Sequence, residues 1–312
     1  MATTTKQGDS TAIDGHAEKA QLMRRATYAS VATALLLIGA KIIAYMLTDS
    51  VSLLSTLLDS LLDAAASLLN LVAVRQSLVP ADREHRFGHG KAEPLAALGQ
   101  STFIAGSAVF LIVQAAGRLI SPHPLEHTEV GIAVMAVSIA VTLALVIFQR
   151  AVIRRTGSLA IKADSLHYAS DLVVNASVIV ALVLASVYGW RRADPIFGIG
   201  IALYILYTAW QIAHHALDML MDRELPDAER KRIRAIATAN PGVLAVHDLR
   251  TRTSGRTIFV QLHLEVDGAL TLLQAHEIAD AVEAEIQAAF PDAEIIIHED
   301  PAGIAEPRQV FR

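Results

Sequence analysis

Asp59 and Asp63 sit in the apolar run LLSTLLDSLLDAAASLL, residues 53–69. They are four residues apart, so on a helix they share one face, one turn apart. An acid at membrane depth costs roughly 2.5 kcal/mol or more, and two like charges repel as well. A divalent cation or protons between them would relieve both penalties. A second apolar stretch opens with Ala163 to Asp171, reading ADSLHYASD, and repeats the spacing with His167 and Asp171. If the two helices face each other, Asp59, Asp63, His167 and Asp171 supply three carboxylates and one imidazole. That set suits a tetrahedral Zn²⁺ and would also accept Fe²⁺ or Cd²⁺. The alternative is two unrelated polar pairs lining a water cavity between helices.

Two further clusters carry ligand types. The loop Pro80 to Lys91 reads PADREHRFGHGK, with Asp82, His85 and His89 close together and glycines that let it fold over an ion. It can equally be a solvated loop. Toward the C-terminus lie His247, His263, His276, and His298 with Asp300, the last two sharing a face of a strand. They could hold one or two Zn²⁺, although scattered surface histidines are common.

The elements that must position these groups follow from composition. The 312 residues are 53% hydrophobic, with the apolar ones concentrated before about position 221. Six stretches near the ~20 residues that span a bilayer run at Ala26–Leu47, Val51–Ser77, Leu95–Ile120, Glu129–Ala151, Ser158–Tyr188 and Pro195–Met221. Lys and Arg crowd the short loops on one side, apart from Arg191 and Arg192 on the other, so both termini are expected in the cytoplasm. Residues 223–312 read as an αββαβ domain, with both helices on one face of a three-stranded sheet. The expected division is a disordered tail at 1–20, a six-helix transmembrane domain at 21–222, a cytoplasmic α+β domain at 223–303 and a tail at 304–312. The chain has no cysteine, so thiolate sites, disulfides and thiol catalysis are excluded. The soluble part holds ten Lys and Arg against fifteen Asp and Glu, which argues against nucleic acid and suits cations.

In DSLLD at 59–63, PADREHRFGHGKAE at 80–93, ADSLHYASD at 163–171, HDLRTRTSG at 247–255 and HLE at 263–265, the chain resembles the cation diffusion facilitator family. The likeness covers nearly all of residues 22–303 and is close to the bacterial zinc and ferrous-iron efflux subclass. The longer polar N-terminal tail is its one difference in kind. The resemblance implies a homodimer in the bacterial inner membrane with a metallochaperone-like cytoplasmic domain. It implies a transport site of Asp59, Asp63, His167 and Asp171, and a second site of Asp82, His85 and His89. It makes His247, His263, His276, His298 and Asp300 a regulatory binuclear zinc site at the dimer interface. It makes Lys91 and Asp222 a charge interlock that holds the protomers together. The implied substrates are Zn²⁺, Fe²⁺ and Cd²⁺.

The expected mechanism is proton antiport. Metal displaces protons at the four-residue site, and protons displace metal on the other side. His167 is the expected proton carrier, since an imidazole's ordinary pKa is about 6.5. A membrane metalloenzyme would want an open coordination position and a general base, and the chain has no HExxH or GxSxG motif. A metal-gated channel or sensor is the other rival, separable by whether flux follows a pH gradient.

Overall fold

The computed structural model describes residues 5–48, 51–120, 129–188 and 193–304; side chains at 5–16, 51–56, 58, 59, 178–188 and a few helix-end positions lie outside the description. The connections at 49–50, 121–128 and 189–192, which carry part of the charge-bias argument, and the tail from 305 are also outside it. Six long helices come first: α1 (Thr5–Thr48), α2 (Val51–Ser77), α3 (Ala92–Ile120), α4 (Glu129–Thr156), α5 (Leu159–Tyr188) and α6 (Ala193–Leu220). They are followed by α7 (Asp227–Ala239), β1 (Ala245–Ser254), β2 (Thr257–Val266), α8 (Leu272–Ala289) and β3 (Ala293–Pro301). The chain forms two compact units, Met1–Pro80 with Ala92–Leu217, and Ala81–Lys91 with Asp218–Arg312.

Within the first unit, a helix of about 28 residues is roughly 42 Å long, more than the ~30 Å hydrocarbon core of a bilayer. Four helices are long and apolar enough among the described residues to cross a membrane, in the stretches Ala17–Leu47, Ala92–Gly117, Met135–Thr156 and Pro195–Leu220. α2 and α5, which carry the paired ligands, are not among these four. The helical ladder of α1 begins at Thr5, inside the stretch expected to be a tail. No proline precedes Pro80, and a helix nucleated in an apolar segment extends at one hydrogen bond per residue. Polarity in this unit runs inside out. Leu35, Ile43, Phe110 and Trp210 are exposed, while Ser30, Ser67, Gln100, Gln149 and Asp164 are buried beside small residues such as Ala26, Ala34 and Ala66. Close helix approach over small residues, with hydrogen bonds between helices, is the packing that works without water outside.

In the second unit the sheet order is β1-β2-β3. β1 and β2 are antiparallel, and β2 and β3 are parallel. A parallel pair needs a crossover, which α8 supplies. Thr271 starts α8 with a capping box closed by Gln274, satisfying two donors that would otherwise be orphaned. Val260, Leu262 and Leu264 of β2 are buried against Ile233 and Ala237 of α7 and Val282 and Ile286 of α8. Strand alternation then sends His263 and Glu265 to the opposite face. β1 carries a register shift between His247 and Arg250, where Asp248 takes a left-handed φ of 47°. This bulge lets Val246 and Leu249 both reach the helix-side core while His247 stays on the other face.

The loop 81–91 belongs to this second unit, not to the helical one in which the sequence reading put it. Phe87 meets Phe259 edge-on at 5.6 Å, and the Arg252 guanidinium lies 5.1 Å from the Phe87 ring and 4.3 Å from the Phe259 ring. Gly90 is required by contact: a Cβ there would lie 2.2 Å from the backbone oxygen of Ser254 in the β1–β2 turn. Gly88, at φ 74°, supplies the loop's left-handed turn.

Candidate functional site

On α5 the helical spacing puts His167 and Asp171 on one face, and that face meets α2. His167 Nε2 lies 2.9 Å from Asp63 Oδ1. Asp63, His167 and Asp171 each offer a ligand atom within 4.8 Å of the others. Three of the four expected residues of this site therefore converge; the Asp59 side chain lies outside the described residues. The His167 side chain is 7% exposed and that of Asp63 22%. The site thus sits among helices with limited access to water, where charge needs a counter-charge.

Two polar features of these helices escaped the sequence reading. Lys41, a lone cation in the first apolar stretch, donates to Ser60 Oγ at 2.6 Å. Asp164 is 0% exposed, and it accepts hydrogen bonds from Ser30 Oγ at 2.7 Å, Gln100 Nε2 at 2.9 Å and Gln149 Nε2 at 2.6 Å. Its spacing could have revealed it, since 164, 167 and 171 form an i, i+3, i+7 stripe on α5.

In the second unit the loop residues converge on Asp82. Its Oδ1 accepts from the Glu84 and His85 backbone N–H groups at 2.9 and 2.7 Å. His85 Nδ1 is 3.5 Å and His89 Nε2 3.4 Å from its two oxygens. The backbone hydrogen bond from His85, first among the causes, holds the Asp82 carboxyl below the usual carboxylate range. His89 Nδ1 is buried and has no hydrogen-bond partner in the protein.

Register builds the other cluster. His247 pairs with His263, and His263 with His298. Three imidazoles therefore stand in one row across three strands, with ring centroids 5.1 and 4.7 Å apart. Asp300 lies beneath the row, 4% exposed. Its oxygens lie 3.2 Å from His247 Nε2, 2.8 Å from His263 Nδ1 and 3.1 Å from His298 Nε2. Glu265, not named as a ligand from the sequence, adds a carboxylate 3.3 Å from His247 Nε2. His247 Nδ1 is buried without a hydrogen-bond partner in the protein. An unpartnered ring nitrogen among imidazoles and carboxylates fits a borderline cation such as Zn²⁺.

His276 does not join this row within the chain. It faces Glu299 at 3.9 Å and Asp280 at 3.6 Å. Glu299 alternates with His298 and Asp300 along β3 and so points to the helix side of the sheet. Lys91 Nζ lies 3.0 Å from Asp222 Oδ1 in the same chain and donates to the Leu220 carbonyl at 3.3 Å. Arg252 joins them, 3.5 Å from Asp222.

Comparison with known proteins gives the family. Residues 27–221 match the cation efflux transmembrane domain, and residues 225–302 match the cation efflux protein cytoplasmic domain. The cation-efflux pump FieF of Klebsiella pneumoniae subsp. pneumoniae is 52% identical over 289 residues, covering 93% of this chain and 96% of its own length. FieF of Salmonella arizonae is 51% identical over 290 residues, with the same coverage. A solved zinc-form structure of CzrB is 36% identical over 28% of this chain and 99% of its own, with a TM-score of 0.26. With transmembrane and cytoplasmic domains both matched, the chain belongs to the cation efflux family, whose members are membrane transporters of divalent metal cations and not enzymes.

Proposed function

We propose that this protein exports Zn²⁺, with Fe²⁺ and Cd²⁺ as further substrates, in exchange for protons. The observation that carries the reading is the convergence of Asp63, His167 and Asp171 on facing helices, with His167 against Asp63 at 2.9 Å. One imidazole among carboxylates favours these borderline metals over Mg²⁺ and Ca²⁺, which prefer all-oxygen shells. Asp59, one turn before Asp63 on α2, is the fourth ligand. All four groups bind protons when metal leaves, so metal affinity falls with falling pH and the two fluxes are coupled. His167 carries the exchanged proton.

All six long helices cross the inner membrane, with 21–222 as the transport domain and both termini in the cytoplasm. The protein works as a homodimer, with 223–303 as its cytoplasmic domain and Lys91 with Asp222 as a charge interlock. Asp82, His85 and His89 hold a second metal ion. His247, His263, His298 and Asp300, with His276 completing the set at the dimer interface, hold regulatory zinc. Zinc there neutralises clustered acid and biases the transport domain toward one state.

Flux into proteoliposomes under an imposed pH gradient is the test. Saturable, gradient-dependent zinc flux that is lost in Asp59→Ala and His167→Ala supports antiport at this site. Flux that ignores the gradient makes the protein a channel, and wild-type flux in both variants removes the site from the path.

A further inference from the structure

Asp164 is a fully buried carboxylate that the transport reaction, as derived above, does not use. Its three hydrogen bonds come from three different helices: Ser30 on α1, Gln100 on α3 and Gln149 on α4. Both glutamines aim their amide N–H₂ groups at the acid, and both leave their own Oε1 buried without a partner. Flipping either amide would set oxygen against carboxylate, so their orientation is dictated by Asp164. An apolar contact would join these helices without an orphaned acceptor. The arrangement accepts that cost one turn before His167.

The rest of this part of α5 is held in the same way. Its first turn is capped by Ser158 Oγ, which accepts from the Ile161 N–H at 3.2 Å. Glu93 of α3 also caps it, accepting from the Ala160 N–H at 3.3 Å. One residue past His167, the Tyr168 hydroxyl meets Ser67 Oγ at 2.9 Å, and Ser67 meets Ser30 at 3.0 Å. Ser67 lies one helical turn after Asp63 on α2. Two rungs therefore join α2 to α5, Asp63 with His167 and Ser67 with Tyr168, and the second runs through Ser30 to Asp164.

We propose that Asp164 is a positioning residue of the transport site: the hydrogen bonds from Ser30, Gln100 and Gln149 hold α5 at one height and rotation, and so present His167 to Asp63. It does not ligate metal. The inference rests on the transport site proposed above. Groups that hold a ligand without touching metal typically govern affinity by about 10–100-fold, and that range is expected here.

The test uses the full-length protein in detergent, with the loop and cytoplasmic sites disabled by His85→Ala and His263→Ala. Co²⁺ is the probe, because its visible absorption reports ligand geometry. His167→Ala must abolish the remaining signal; if it does not, the transport-site assignment itself is wrong. Given that loss, Asp164→Asn and Gln149→Leu should each weaken Co²⁺ binding at least tenfold and alter the spectrum, with elution volume unchanged. Asp164→Asn with Gln149→Glu restores a donor and an acceptor with their roles exchanged, and should recover the spectrum. Wild-type affinity and spectrum in both single variants overturn the proposal, as does a double variant no better than Asp164→Asn alone. If Asp164→Asn fails to fold, Gln149→Leu and Gln100→Leu decide on the same readouts.

Discussion

Asp82, the proposed loop ligand, is prepared by backbone. The Glu84 and His85 N–H groups point at one of its oxygens, and the His85 bond leads the causes that lower its pKa. A depressed acid stabilises the folded loop above its unfolded pKa of about 3.9 and loses that stabilisation as pH falls through the lower folded value. Between pH 5 and 8 the carboxylate is therefore ionised throughout. Asp82→Asn should weaken loop zinc binding by a constant factor across that window, measured by titration at several pH values. A factor that shrinks toward pH 5 would mean the carboxylate is being neutralised there. Gly90 makes a steric argument at the same scale. The added Cβ of Gly90→Ala would lie 2.2 Å from Ser254 O and 2.5 Å from Ser254 C, both backbone atoms that cannot swing away. The loop must lift from the β1–β2 turn at a cost of about 1–3 kcal/mol. Thermal unfolding should fall accordingly, and zinc affinity at Asp82, His85 and His89 should fall with it.

At the scale of elements, the periodicities in the sequence carried far. Helical i, i+4 spacing foretold that His167 and Asp171 share a face, and strand alternation, read for His298 and Asp300, likewise sends His263 and Glu265 away from Leu262 and Leu264. Cross-strand register was not legible, because it depends on a bulge that no residue type announces. Asp248 at φ 47° inserts the extra residue, and only then does His247 pair with His263. The left-handed conformation costs a residue with a Cβ roughly 1–2 kcal/mol, and Asp or Asn bears it best through local hydrogen bonding. In zinc-free protein, Asp248→Gly should hold or raise the unfolding temperature, while Asp248→Val should lower stability by about 1–2 kcal/mol. Equal stability of the two variants would mean the bulge relaxes and the row of histidines is not held by it. The same parity explains His276. The family resemblance implied it as a ligand, but Glu299, its neighbour at 3.9 Å, points to the helix side of the sheet. The Asp164 clamp was missed for a different reason. Its donors are single polar residues on three helices, and no local pattern ties Ser30 to Gln100 and Gln149.

At the scale of the whole molecule, the sites divide between two compact units. Asp63, His167 and Asp171, the proposed transport residues, belong to the helical unit, and the other clusters to the soluble one. The soluble clusters carry buried ring nitrogens with no hydrogen-bond partner in the protein, namely His89 Nδ1 and His247 Nδ1. Each such atom is a standing cost of about 1–3 kcal/mol that a bound cation would remove. Metal that binds only folded protein stabilises by RT ln(1 + [L]/Kd), about 2.7 kcal/mol at a hundredfold excess over Kd. Calorimetry on the full chain should therefore show two transitions, with zinc raising the one that belongs to the soluble unit and a chelator reversing the shift. Asp300 approaches three imidazoles at once, so Asp300→Asn should remove most of that shift. His167→Ala should leave it in place, because the metal site proposed for it lies in the other unit. If His167→Ala abolished the shift and Asp300→Asn did not, the stabilising zinc would be the transported ion, and the row of imidazoles on the sheet would be no more than a polar surface.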